Sequence, residues 1–140
     1  MDTNYSEVKN TDFTTSRQVN STDPMKIILM VYEGAIKFLK KAVEYAEQGD
    51  IRNKNIYTNK AADIIVELNN SLNMKAGREI AENLRNMYVL MGRLLIEAIT
   101  KESVWPLNEV IKILSELKEG WEYVEETVNK NAEASSGMGN

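Results

Sequence analysis

The sequence contains no cysteine and no histidine among its 140 residues. Their absence excludes disulfide frameworks, thiolate nucleophiles and every Ser-His or Cys-His couple. It also excludes structural zinc, which takes Cys and His ligands, and the di-iron bundles, which need a Glu-x-x-His pair on each of two helices. Only oxygen-ligand metals, or carboxylate, lysine, tyrosine and arginine chemistry, remain. Positive charge is outweighed, with 17 Lys+Arg against 21 Asp+Glu and a formal net charge of -4. That balance offers no clustered positive footprint, so no nucleic-acid partner is expected. Nowhere do 18 apolar residues run together, and the first twenty lack an apolar h-region, so the expectation is a cytoplasmic protein with no membrane insertion.

Hydrophobic residues make up 43% and charged residues 27%, enough for a folded core in part of the chain. Composition divides the sequence into three parts. Residues 1–22 form an Asn/Thr/Ser-rich arm with scattered large apolar groups, among them Phe13 and Val19. Residues 23–128 are dense and periodic. Residues 129–140 bury too little apolar surface to offset chain entropy, which predicts a disordered tail.

The periodic part reads as four amphipathic helices. Asp23-Pro24 opens the first, with Asp as N-cap and Pro where its missing N–H costs nothing. Ile28, Val31, Ala35, Phe38, Ala42 and Tyr45 follow at spacings of three and four, one face of a helix. Gly49-Asp50 ends it, and Asp50 caps a second helix carrying Tyr57, Ala61, Ile64, Ile65, Leu68 and Leu72, which Asn73 breaks. The third carries Ile80, Leu84, Met87, Met91, Leu94 and Ala98 and ends near Lys101, where a cation suits a helix C-terminus. Ser103 is placed to cap the fourth, with Pro106 in its first turn and Leu107, Val110, Leu114, Leu117, Trp121, Val124 and Val128 as its stripe. Short turns between long helices force antiparallel neighbours. The predicted fold is all-α, an antiparallel up-down-up-down four-helix bundle with the polar N-terminal arm as a cap. Tyr32, Leu39, Leu68, Met91, Leu114 and Trp121 are the expected core.

The third helix is more apolar than a bundle corner requires. On a wheel at ~100° per residue its apolar residues from Met87 to Ile99 sweep roughly 260°, whereas facing two partners takes an arc of somewhat over ~100°. Ile51, Ala62 and Val66 likewise lie beside the main stripe of the second helix. Burial is the first reading of any one apolar position, but the collective surplus points to a partner-binding patch. The candidate contacts are Ile51, Ala62, Val66, Val89, Ile96 and Ile99, with Phe13 and Val19 of the arm as anchors of a removable lid.

Chemistry finds little footing. Arg78, Arg85 and Arg93 recur on one side of the third helix and would suit clamping of substrate carboxylates. Pairing of Arg78 and Arg85 with Glu82 into a solvated stripe is the favoured alternative. The glutamates of the fourth helix lie opposite its apolar stripe, as a solvated face does. Gly34 and Gly92 form no phosphate loop; they permit close helix approach or leave a shallow pocket. No catalytic, metal or cofactor site is expected, and the protein is read as a non-enzyme.

The ordered residues resemble a family. Val19-Asn20-Ser21-Thr22-Asp23-Pro24, then Ile28-Leu29-Met30-Val31-Tyr32-Glu33-Gly34-Ala35-Ile36 and Phe38-Leu39, is similar to the entry of the flagellar export chaperones, the FliS family. Lys60 to Leu68 with Ser71-Leu72-Asn73 resembles that family's second helix; Tyr88, Met91, Arg93, Leu95 and Glu97-Ala98 match its third, and Leu117 and Trp121 its fourth. The resemblance implies a cytoplasmic chaperone that binds the C-terminal segment of flagellin in apolar grooves. It would prevent premature polymerisation and aid delivery to the flagellar type III export machinery. Two rivals stay open: a helical adaptor that forms a homodimer or higher oligomer through the surplus surface, and a small enzyme using the arginine cluster.

Overall fold

The computed structural model describes residues 23–138. Four helices follow in order: α1 (Pro24–Glu47), α2 (Ile51–Asn70), α3 (Met74–Thr100) and α4 (Trp105–Met138). α1 packs on α2 and α4, and α3 packs on the same two, which closes the bundle; the α3–α4 contact is the thinnest of the four. The arm, residues 1–22, with Phe13 and Val19, lies outside the described residues.

Local chemistry sets each boundary. The Asp23 carboxylate accepts from the Met25 N–H at 3.0 Å, with Pro24 in the first turn. At the far end the Gly49 N–H donates to Ala46 C=O (3.0 Å) and the Asp50 N–H to Tyr45 C=O (2.8 Å). This pair of bonds needs a left-handed residue, and Gly49 supplies it at φ +77. Asp50 then serves α2, accepting from the Asn53 N–H at 3.1 Å and from the Asn53 side chain at 2.7 Å. Those bonds, the backbone one foremost, hold its carboxyl below the usual range. Asn73 caps α3 by accepting from the Ala76 N–H.

Three sequence expectations need correction. Ser103 does not cap α4: its hydroxyl donates to Lys101 C=O at 3.4 Å, and the first helical bonds run to Val104 C=O instead. The tail does not stop being helical at Asn129. Once a helix exists, continuing it carries no nucleation cost, and Lys130, Ala132, Glu133 and Ala134 are adequate helix formers, so α4 runs to Met138. Trp121 is half-buried, not core, because its indole N–H bonds to the Tyr32 hydroxyl at the edge of the bundle. A further feature left no sign in the sequence: Arg78 sits at φ 48, ψ -120, and interrupts the first turns of α3.

Inside, Tyr32, Ala35, Leu39, Ala42, Ala61, Ile64, Met91, Ala98, Leu107, Val110 and Leu114 are fully sealed, at the spacings of three and four that a helix face requires. Two polar residues are sealed with them. The Lys54 ammonium donates to Ala98 C=O at 2.5 Å, and the Thr58 hydroxyl to Lys54 C=O at 2.8 Å. Lys54 thus places a cation at the carbonyl end of α3, where the helix dipole favours it. Burial pushes its pKa down.

Candidate binding surface

α3 is the helix whose apolar arc exceeds what its neighbours cover. Ala81, Tyr88, Met91, Leu95 and Ala98 face the core, while Ile80, Val89, Leu90 and Ile96 stay exposed. Helical spacing sorts these exposed groups onto two flanks. The flank toward α2 is marked by Arg85, whose Nε donates to Asn69 Oδ1 at 3.3 Å. At ~100° per residue Val89 and Ile96 fall within about 40° of Arg85. On α2, Ile51, Ala62 and Val66 fall within about 60° of Asn69 by the same count. By helical spacing the candidate contacts therefore fall on the sides of α2 and α3 that border one seam, marked by the Arg85–Asn69 bond. Val66 is 56% and Ile96 63% exposed, and Ile51 and Val89 are also exposed. Ala62 and Ile99 are half-buried, with Ala62 packed against the core, so they form the floor and not the rims. Gly92 leaves open space where a Cβ would stand, a shallow notch rather than a packing need.

The other flank of α3 faces α4 and holds a second apolar groove of about 280 Å³. Ile80 and Leu84 line one side, with Leu117, Trp121 and Val124 opposite and Gly120 opening a gap between them. Periodicity alone assigns these residues to the core stripe. What distinguishes them is the thin α3–α4 contact, together with a helical glycine that no packing neighbour requires. Ile80 is 69% exposed.

Trp121 owes its half-buried place to a hydrogen bond at the base of this groove. Its indole N–H donates to the Tyr32 hydroxyl at 3.0 Å, and the Tyr32 and Tyr88 hydroxyls lie 2.5 Å apart. Three donor hydrogens share two bonds, so one hydroxyl proton has no acceptor among the described residues. Tyr32 and Tyr88 are sealed from solvent, and burial raises both phenol pKa values.

Between α1 and α4 the surface is charged. A larger cleft of about 610 Å³ between α1 and α4 is lined by Lys37, Lys40, Lys41, Glu44 and Glu119, with Lys118 bridging Glu33 (3.8 Å) and Glu122 (3.7 Å). Among the described residues no group of Asp and Glu is arranged to hold a metal ion, and no helix is long and apolar enough to cross a membrane. The expected pairing of Arg78 and Arg85 with Glu82 does not occur. Neither arginine has an ion-pair partner among the described residues, because Arg85 is drawn across the seam to Asn69 and the break at Arg78 takes that residue out of helical register.

A groove-bearing bundle of this kind has relatives. The family model described as Flagellar protein FliS matches residues 8–128. The chain belongs to the FliS family. It is 35% identical over 107 residues to the Flagellar secretion chaperone FliS of Vibrio cholerae, covering 76% of this chain and 79% of that protein. The same-named protein of Bacillus subtilis is 32% identical over 120 residues, covering 86% of this chain and 89% of the relative. That of Salmonella typhimurium is 35% identical over 107 residues, with 76% and 79% covered. Within this FliS chain, the described part of the match takes in all of α1, α2 and α3 and the bundled part of α4, so both apolar grooves lie inside it.

Proposed function

We propose that this chain is a non-enzymatic flagellar secretion chaperone that works in the cytosol. Its client is the C-terminal segment of flagellin, taken into the α2/α3 seam as an amphipathic helix, with the wrap continuing onto the α3/α4 groove. The observation that carries this reading is the pair of exposed rims, Val66 on α2 and Ile96 on α3, facing solvent across one seam in a FliS-family bundle. Each would gain about 1 to 2 kcal/mol on full burial against a guest. A disordered guest must lose chain entropy to fold there, which keeps affinity moderate and release feasible without hydrolysis. Covering the apolar face of the guest denies it to other flagellin chains and so prevents early polymerisation. The chaperone then presents the guest to the export machinery. In this reading the arm, through Phe13 and Val19, closes the seam when no client is present.

The decisive experiment is calorimetric titration of a flagellin C-terminal fragment into the full chain and into Val66→Asp and Ile96→Asp variants. Both side chains are largely exposed, so the helical signal and melting temperature should stay put while binding drops at least tenfold. Unchanged binding in both variants overturns the seam as the client site. Light scattering at low concentration tests the rival reading: a tight dimer that ignores the flagellin fragment favours homo-oligomerisation.

A further inference from the structure

Two arginines of α3 carry charge that no carboxylate among the described residues pairs with. Arg85 and Arg93 are exposed, and neither forms an ion pair among the described residues. Arg85 uses one N–H on Asn69. With Val89 at zero on a ~100° wheel, Arg85 falls near -40° and Arg93 near +40°, so the two guanidinium groups bracket the exposed row of Val89 and Ile96. Glu82, three residues before Arg85, reaches neither. The flank toward α4, with Ile80 and Leu94, carries no arginine; Glu79 and Glu97 fall near +80°, on the solvent side of Arg93, and Glu97 is paired with Lys101 at 3.6 Å. On the same wheel the exposed Glu82 falls near +20°, so on a chain of net charge -4 the α3 edge of the seam carries two arginines against one carboxylate, a local excess of positive charge.

An arginine presents a planar fork of donors that fits a carboxylate at two points. Such groups at the rim of an apolar groove set register and partner choice more than affinity. We propose that Arg85 and Arg93 select the occupant of the α2/α3 seam, an amphipathic helix whose apolar stripe is flanked by carboxylates. The two arginines are eight residues apart, about 12 Å along the axis at 1.5 Å per residue. A guest helix lying along the seam meets both when its acidic residues are seven or eight positions apart. The inference rests on the seam being the binding face, and it adds the charge pattern of what binds there.

The test uses the full chain and two synthetic helical peptides with the same apolar stripe, one flanked by glutamates seven apart and one by lysines. Binding is measured by fluorescence anisotropy at low and high salt. The glutamate peptide should bind at least tenfold tighter at low salt, against the overall negative charge of the chain. The gap should narrow to about twofold at high salt, where exposed pairs are screened. An Arg85→Gln/Arg93→Gln variant should lose the preference, and an Arg85→Lys/Arg93→Lys variant should keep part of it; melting curves confirm that both are folded. Equal binding of the two peptides, binding of neither, preference for the lysine peptide, or a preference that survives the double Gln change overturns the proposal. A glutamate preference in a chain that ignores the flagellin fragment overturns the client assignment alone and leaves selection by charge standing.

Discussion

Replacing Tyr32 with Phe tests the polar chain beneath the α3/α4 groove. The ring stays, so no cavity opens; only the hydroxyl that Trp121 and Tyr88 share is removed. In the wild type three donors share two bonds and one proton is unmatched. In Tyr32→Phe two donors share none. Each lost bond costs about 1 kcal/mol net, and the Tyr88 hydroxyl, sealed from water, adds a penalty of about 1 kcal/mol or more for standing alone. Trp121 is half-buried and its N–H can turn toward water, which limits its share. The sum is about 2 to 3 kcal/mol, or roughly 8 to 12 °C in Tm for a bundle of this size. Tyr88→Phe is the control: it removes one donor and one bond, keeps the Trp121–Tyr32 bond, and should cost only about 1 kcal/mol. The double variant should cost no more than Tyr32→Phe, because it removes the orphan that the single change creates. Urea unfolding followed by far-UV circular dichroism measures all three. A Tyr32→Phe cost within about 0.5 kcal/mol of zero, or one no larger than that of Tyr88→Phe, refutes the donor count.

Lys54→Met should cost about 1 kcal/mol near neutral pH, since relief of a desolvated cation is offset by the Ala98 carbonyl left without its donor, while Lys54→Ala should cost about 2 to 4 kcal/mol because a void is added. Burial depresses the Lys54 pKa, so charging it opposes folding below that value; wild-type stability should therefore gain on Lys54→Met as pH rises toward the ordinary lysine range, and a pH-independent difference between the two in urea titrations contradicts this. Asp50 has its pKa lowered by Asn53, so its cap supports folding above the ordinary carboxylate range and fades as pH falls through the depressed value; Asp50→Ala should lower Tm at neutral pH and lose its effect in acid. Gly120→Ala should raise stability by about 0.5 to 1 kcal/mol, since its Cβ meets nothing within 4 Å and the position is helical; a fall in Tm would show that the gap is already filled.

The bundle was legible because its boundary signals are local. Asp23-Pro24, Gly49-Asp50 and Asn73 each act through backbone groups within a few residues, and the structure uses all three as the sequence suggests. The surplus on α3 was legible as a quantity, since an arc of roughly 260° exceeds what two neighbours cover. Its division was not. Whether Ile80 meets α4 or the core depends on how closely α4 approaches, and periodicity carries no information about interhelical distance. Trp121 was assigned to the core for the same reason, as its place follows from a hydrogen bond to Tyr32, 89 positions away. Arg78 and Glu82 have the spacing of an ion pair on an unbroken helix, and only the backbone break at Arg78 shows why they do not meet.

The two grooves beside α3 differ in a way that bears on how one polypeptide can occupy both. The α3 edge of the α2/α3 seam carries Arg85 and Arg93 against the single carboxylate of Glu82, with Ala62 and Ile99 as its floor. The α3/α4 groove is bordered by Glu116, with the Trp121–Tyr32 bond at its base. A guest whose two amphipathic pieces differ in flanking charge fits this pair of grooves in one order only, because the reverse order places like charges together at both rims. α3 is also the helix whose contact with α4 is thinnest and whose first turns are already broken at Arg78. Small movements of α3 would therefore widen one groove as they narrow the other, so that filling either groove biases the other through the position of a single helix. A chain with Ile80→Asp, which blocks the α3/α4 groove alone, should then bind the glutamate-flanked peptide in the α2/α3 seam with altered affinity although no seam residue has changed. An affinity identical to that of the wild type would mean that the two grooves act independently.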